Sequence, residues 1–203
     1  IRGPSASRPA GDIVADAVAL AREGVREAIL IAQDTTAYGR DRGEADALPG
    51  LIESILAAAP NLDWLRLMYA YPGRVSPRLV EVMAREPRVC RYLDLPLQHA
   101  HPDVLRRMRR PADMERTRRL VADLRAAMPD LALRTTFIVG YPGETDAQFQ
   151  ALLDFVADVR FDRVGAFAYS PEEGTPAADL SGAVPEEVKA ERYERLMALQ
   201  QGI

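Results

Sequence analysis

The sequence predicts an α/β fold built on a parallel sheet. Three observations carry that reading. Five short apolar runs alternate with segments of helical spacing along 203 residues. The runs are too short and too branched for helices, and suit buried strands. Polar and glycine-rich residues collect directly after the runs, where parallel α/β folds bind ligands. Strict alternation needs helical crossovers, and so parallel neighbours. An open doubly wound sheet and a closed or partial barrel both satisfy it.

Ile1–Ala10, rich in Ser, Arg, Pro and Gly, reads as a loop. A helix is expected from about Pro9 to Glu23, with Ile13, Ala17, Leu20 and Ala21 on one stripe and Gly24 as its stop. Ala28–Ala32 is the first strand, ending at Gln33-Asp34. A helix over Ala47–Ala59 buries Leu48, Leu51, Ile52, Ile55 and Leu56. Trp64–Ala70 is the second strand, and Ser76-Pro77 caps a helix reaching Arg85. Arg91–Leu97 is the third strand. Helices follow over Pro102–Arg109 and Asp113–Met128. Leu131–Val139 is the fourth strand, and Thr145-x-x-Gln148 is a capping box for a helix to Asp158. Arg163–Tyr169 is the fifth strand, and Pro185 opens a last helix to Gln201.

Composition excludes several classes. Hydrophobic residues make up 48% and charged residues 28%, which is globular. The length fits one domain with a core that buries about 70% of its unfolded surface. Net charge is −4, so no global basic field attracts nucleic acid. No apolar run approaches the roughly 20 residues of a membrane span. Cys90 is the sole cysteine, which rules out an intrachain disulfide and a multi-cysteine metal site. Lys189 is the sole lysine, a bias we ascribe to GC-rich coding. The chain starts at Ile1 with no signal-peptide pattern and reads as a piece of something longer.

The strand ends hold the chemistry. They carry Gln33-Asp34-Thr35-Thr36, Tyr69-Ala70-Tyr71-Pro72, Pro96-Leu97-Gln98-His99, Gly140-Tyr141-Pro142-Gly143-Glu144-Thr145 and Tyr169-Ser170-Pro171-Glu172-Glu173. Taken singly, each has a plain reading. Asp34 suits a strand-end turn. His99-x-His101 lacks further metal ligands, and Cys90 suits a small buried hydrophobe. Glu172-Glu173 suits a solvated turn. The arginines between Arg106 and Arg119 face an acidic partner, RNA or only solvent, with Asp103, Asp113 and Glu115 interspersed. Glycines at Gly140 and Gly143 permit close approach to the backbone, and the helix start beyond them favours negative charge. Glu144 is equally a cofactor ligand or a charge favoured at a helix start.

In order, four stretches form a more specific pattern: Leu30–Thr36, Leu95–His99, Arg134–Thr145 and Tyr169–Thr175. Together they resemble the radical S-adenosylmethionine domain of the methylthiotransferases, and within that family the RimO type, which modifies an aspartate of a ribosomal protein. The resemblance covers essentially the whole chain. It implies a partial (β/α)6 barrel of the radical SAM type, here lacking its first strand and its CxxxCxxC cluster loop, both expected upstream of Ile1. A second cluster domain and a C-terminal TRAM domain are expected to flank it. The implied cofactors are S-adenosyl-L-methionine and a [4Fe–4S] cluster. The implied substrate is a small-subunit ribosomal protein, methylthiolated on the β-carbon of an aspartate in the cytoplasm, with no membrane partner.

The cofactor-binding candidates follow from that resemblance. Gln33, Asp34 and Tyr69 are the candidates from the first two strand ends. Leu97, Gln98 and Thr136 come from the third and fourth strands. Gly140, Pro142, Gly143, Glu144 and Tyr169 complete the set. Amides offer donors and acceptors without fixed charge. Leu97 and Pro142 suit the faces of an adenine. One cysteine cannot hold a four-iron cluster, so the chain alone is expected to be inactive. A missing first strand would leave a sheet edge prone to aggregation. Two other readings stand beside this one: the sister family that methylthiolates an adenosine in tRNA, with the arginines facing RNA, and a barrel without catalysis that has lost its cluster.

Overall fold

Helix α1 (Ala10–Arg22) leads into β1 (Glu27–Leu30), and helix–strand alternation continues through α2 (Leu48–Ala58), β2 (Trp64–Leu67), α3 (Pro77–Arg85) and β3 (Val89–Asp94). These elements come from a computed structural model that describes residues 3–203. The expected N-terminal loop is seen from Gly3 to Pro9, and its first two residues lie outside the described ones. The chain forms two compact units, one reaching to Asp94 and taking in Leu124–Leu131, the other comprising Leu95–Asp123 and Ala132–Ile203.

In the first unit β1 pairs with β2 and β2 with β3, both parallel, with an irregularity between Leu65 and Leu67. Ile52 and Ile55 of α2, Leu65 and Leu67 of β2, and Leu79 and Met83 of α3 are fully enclosed. Local chemistry starts α3 where the sequence says it should. Pro77 stands in the first turn, and Ser76 Oγ accepts the Leu79 N–H at 3.0 Å.

The second unit holds α4 (Pro102–Arg107), β4 (Ala132–Val139), α6 (Asp146–Val159), β5 (Arg163–Ala168) and α7 (Glu186–Gln201), with most of α5 (Met114–Ala127). β4 and β5 pair in parallel from Arg134–Arg163 to Val139–Ala168. Alternate residues Leu133, Phe137 and Val139 point into the core. There Phe137 meets Phe161 edge-on at 6.2 Å, and Phe155 packs at 5.9 Å from Phe161. The capping box forms at the start of α6 with both hydrogen bonds between Thr145 and Gln148.

Four strands stop short of the ends the sequence suggests, β1 at Leu30 instead of Ala32, β5 at Ala168 instead of Tyr169, and β2 and β3 by three residues each. β2 stops at Leu67 instead of Ala70 because Tyr69 adopts a left-handed conformation, φ 57°. β3 begins at Val89 and stops at Asp94, instead of spanning Arg91–Leu97. Pro96 has no N–H for a ladder. The Thr135 hydroxyl fills the gap: it donates to Leu95 O at 2.8 Å and accepts the Leu97 N–H at 3.4 Å. Gln98, at φ 72°, still makes a parallel bridge to Phe137. Three short 3-10 turns, at Thr35–Ala37, Arg40–Arg42 and Pro72–Arg74, have no counterpart in the sequence reading.

Candidate functional site

At the end of β1 in the first unit, Gln33 is exposed, and among the described residues its side-chain amide has no hydrogen-bond partner. The next three residues are tied down. The Thr35 N–H donates to Tyr69 O at 3.0 Å, and its hydroxyl donates to Met68 O. The Thr36 hydroxyl donates to Asp34 and accepts the Tyr71 N–H at 3.2 Å. Arg74 pairs with the other oxygen of Asp34, its guanidinium 4.7 Å from the Tyr71 ring centre. Asp34 therefore acts as a strut inside its loop, while Gln33 and the exposed Tyr69 ring stay available. A cavity of about 270 Å³ opens beside this loop, lined by Leu30, Ile31, Asp34, Thr35 and Tyr38 among others.

The left-handed backbone at Tyr69 costs roughly 1–2 kcal/mol for a residue with a side chain. Its neighbours hold it there. Met68 N–H donates to Leu30 O at 3.1 Å, and Ala70 N–H donates to Asp94 O at 2.9 Å. Strain of this kind concentrates at functional sites.

In the second unit the strand ends are more enclosed. Gln98 is held left-handed by its N–H to Thr136 O at 2.9 Å and by the Ile138 N–H to its own carbonyl at 2.8 Å. Among the described residues its side-chain amide has no hydrogen-bond partner. Leu97 and Pro142 are buried apolar residues near their strand ends. Gly140 needs to be glycine twice over. Its φ is 72°, and a Cβ there would lie 2.4 Å from Lys189 Cγ. Gly143, at φ 74°, donates its N–H to Gly182 O at 2.7 Å.

Glu144 points inward. One carboxylate oxygen accepts the N–H groups of Gly140 at 3.0 Å and Tyr141 at 3.4 Å, and the other accepts Arg192 Nη1 at 3.0 Å. It enters the site by shaping the turn. Tyr169 donates its N–H to Val139 O at 2.9 Å and stacks edge-on against Tyr141 at 5.1 Å, with Lys189 Nζ 5.6 Å from its ring centre. The Tyr169 hydroxyl is buried without a hydrogen-bond partner among the described residues. Burial, helped by Tyr169, pushes the Tyr141 phenol above its ordinary range.

The cofactor-binding candidates do not include His99, Lys189 or Arg192. The only sequence signal for Lys189 is that it is unique; Arg192 has none. The arginine run resolves in part: Arg106 pairs with Asp103, Arg118 with Asp158, and Arg107 reaches Gly143 O at 3.3 Å and Gln148 at 3.1 Å. Cys90 lies half-buried in β3, and burial raises its thiol pKa. Among the described residues no group of three His, Cys, Asp or Glu side chains can hold a metal ion. The residues present do not fit an iron–sulfur cluster. Within the second unit, an amide, apolar side chains and a glycine turn near the strand ends are chemically compatible with an adenosyl ligand. Among the described residues no helix is long and apolar enough to cross a membrane.

Residues 1–156 match the family model of the Radical SAM superfamily. The chain belongs to the radical SAM superfamily. Membership implies S-adenosylmethionine and a [4Fe–4S] cluster as cofactors. The chain is 55% identical over 202 residues to the ribosomal protein uS12 methylthiotransferase RimO of Roseiflexus sp. (strain RS-1), covering all of this chain and 43% of that protein. It is 56% identical over 203 residues to the protein of the same name from Moorella thermoacetica, covering 47% of it. The chain thus spans less than half the length of these curated relatives. Among solved structures, the radical S-adenosylmethionine methyltransferase TsrM from Kitasatospora setae superposes with a TM-score of 0.67 at 20% identity, over 84% of this chain and 33% of that one. Coproporphyrinogen III oxidase (HemN) from Escherichia coli gives 0.63 at 16% identity, over 94% of this chain and 45% of that one. At such identities the likeness shows the fold, the α/β fold of the radical SAM type.

Proposed function

We propose that this chain is the S-adenosylmethionine-binding core of a methylthiotransferase that modifies an aspartate β-carbon of the small-subunit ribosomal protein uS12. The observation that carries this reading is the identity with RimO proteins, 55% and 56%, over the whole chain. When bound, S-adenosylmethionine supplies a hydrogen-abstracting 5′-deoxyadenosyl group and a methyl group. The chain's own residues bind and orient it. Gln33 and Gln98 offer neutral hydrogen bonds to an amino-acid tail or a ribose. Gly140 and Gly143 let the ligand approach the backbone, and Leu97 and Pro142 supply apolar surface. Tyr69 offers an exposed ring in the first unit, Thr136 within β4 and Tyr169 after β5 belong to the second, and Asp34 and Glu144 hold their own loops in shape. A reactive intermediate needs water and stray hydrogen donors kept away.

The cluster thiolates must come from outside these 203 residues, because Cys90 is the one cysteine within them. A ribosomal substrate puts the working enzyme in the cytoplasm. The test uses the full-length protein with its cluster reconstituted, methyl-labelled S-adenosylmethionine, and uS12 and tRNA offered together. Label on a uS12 aspartate is the expected result. Label in tRNA adenosine, with none in uS12, would overturn the assignment in favour of the sister activity.

A further inference from the structure

We infer that His99 and Arg192 are positioning residues that act through Glu144 to hold the second unit's two ligand-facing segments, Gln98 and the Gly140–Glu144 turn. The inference rests on the reading of those segments as an S-adenosylmethionine site.

Glu144 is the hub. Its carboxylate is wholly enclosed, and the Arg192 side chain is 5% exposed. Arg192 spends one nitrogen on the Glu144 carboxylate and on Glu144 O, at 3.0 and 3.2 Å. Its other nitrogen reaches Asp146 at 2.7 Å, and the guanidinium stands 5.5 Å from the Phe149 ring centre. Orientation is therefore fixed from two sides by a planar fork, which suits arginine and not lysine.

His99 approaches the same carboxylate from another segment of chain. It is fully buried. Its Nδ1 accepts the His101 N–H at 2.9 Å, so in the neutral ring the proton sits on Nε2. That Nε2 lies 3.5 Å from Glu144 Oε2 and has no hydrogen-bond partner among the described residues. The same Oε2 accepts the Gly140 and Tyr141 N–H groups. A donor facing this oxygen restrains the carboxylate that holds the turn.

His99 also follows Gln98 directly, so anchoring one ring limits the backbone at φ 72° beside it. The network thus joins Gln98, the glycine turn and α7 through one carboxylate.

The two functions of His99 can be separated by substitution. Asparagine keeps an acceptor near Nδ1 and lacks the far donor. Glutamine places an N–H near the position of Nε2. In the full-length protein, H99N is expected to speed amide hydrogen exchange at Gly140 and Tyr141 about tenfold. It is expected to weaken S-adenosylhomocysteine binding by about the same factor, because the Glu144 carboxylate loses the N–H dipole that faces it. H99Q is expected to restore both within about threefold. If H99N does not fold, R192K replaces it, with the same two changes expected.

Unchanged affinity in H99N or R192K, with the unsubstituted protein binding normally, overturns the positioning role alone. Equal loss in H99N and H99Q also overturns it, because a purely structural histidine would not distinguish them. No binding by the unsubstituted protein overturns the cofactor site and the positioning role together.

Discussion

Asp34 in the first unit and Glu144 in the second are both carboxylates just past a parallel strand, and both are paired with arginine. Arg74, the partner of Asp34, is 38% exposed; Arg192, the partner of Glu144, is 5% exposed, and the carboxylate it holds is enclosed. The same pair of residue types therefore does different work. At the solvated end, water screens the pair and competes for both charges. At the enclosed end, loss of Arg192 leaves a buried carboxylate without its countercharge.

Arg192→Met is expected to destabilise the chain by about 3–5 kcal/mol, the usual cost of stranding a buried charge. Arg74→Met is expected to cost under about 1 kcal/mol. Urea unfolding of the two variants measures the contrast, and equal losses would remove it. The glycines of the turn refine the picture. Gly140→Ala meets the Lys189 stem and an unfavourable φ, so about 2–4 kcal/mol is expected. Gly143→Ala meets nothing closer than Arg107 Cζ at 3.8 Å, so only the conformational cost of about 1 kcal/mol applies. Adding Lys189→Ala to Gly140→Ala should recover the packing part and leave the φ part.

A third comparison sets Gln98 against its own backbone. Gln98→Gly relieves a left-handed side chain and adds unfolded-state entropy, so stability should change by less than about 1 kcal/mol. Affinity for S-adenosylhomocysteine should still fall, because the amide is lost. Calorimetry and thermal melts on the same sample separate the two effects.

At the β1 side of the first unit, Ile29 and Ile31 are 47% and 67% exposed, and Trp64 is exposed beside them. Ile31→Lys is expected to reduce self-association in sedimentation runs, since a charge at an apolar edge discourages pairing. The smallest expected effect concerns Cys90. Burial raises its pKa, so alkylation at pH 8 should be slower than for a free thiol and should accelerate in urea.

Much of the fold is legible in local chemistry. Ser76-Pro77 and Thr145-x-x-Gln148 start their helices at the expected places because capping needs only residues a turn apart. The early ends of β2 and β3 are not legible. Tyr69 and Gln98 are not residues that seek positive φ, and their neighbours' hydrogen bonds impose it. In the site, Gly140 announces itself because glycine is the residue a left-handed turn asks for. The Glu144 hub does not, because His99 and Arg192 come from distant stretches and neither sits in a motif that names its partner. Asp34 and Glu144 look alike on paper, and only their surroundings distinguish a solvated strut from an enclosed keystone.

The alternation of helices and strands, the caps, the glycine turn and the family are all readable from the chain alone, because each depends on short-range spacing or on ordered motifs. Which polar groups stay available and which are used up emerges from the fold. That choice depends on burial and on donors brought from afar, and a carboxylate's role follows from how many of them reach it and whether water can.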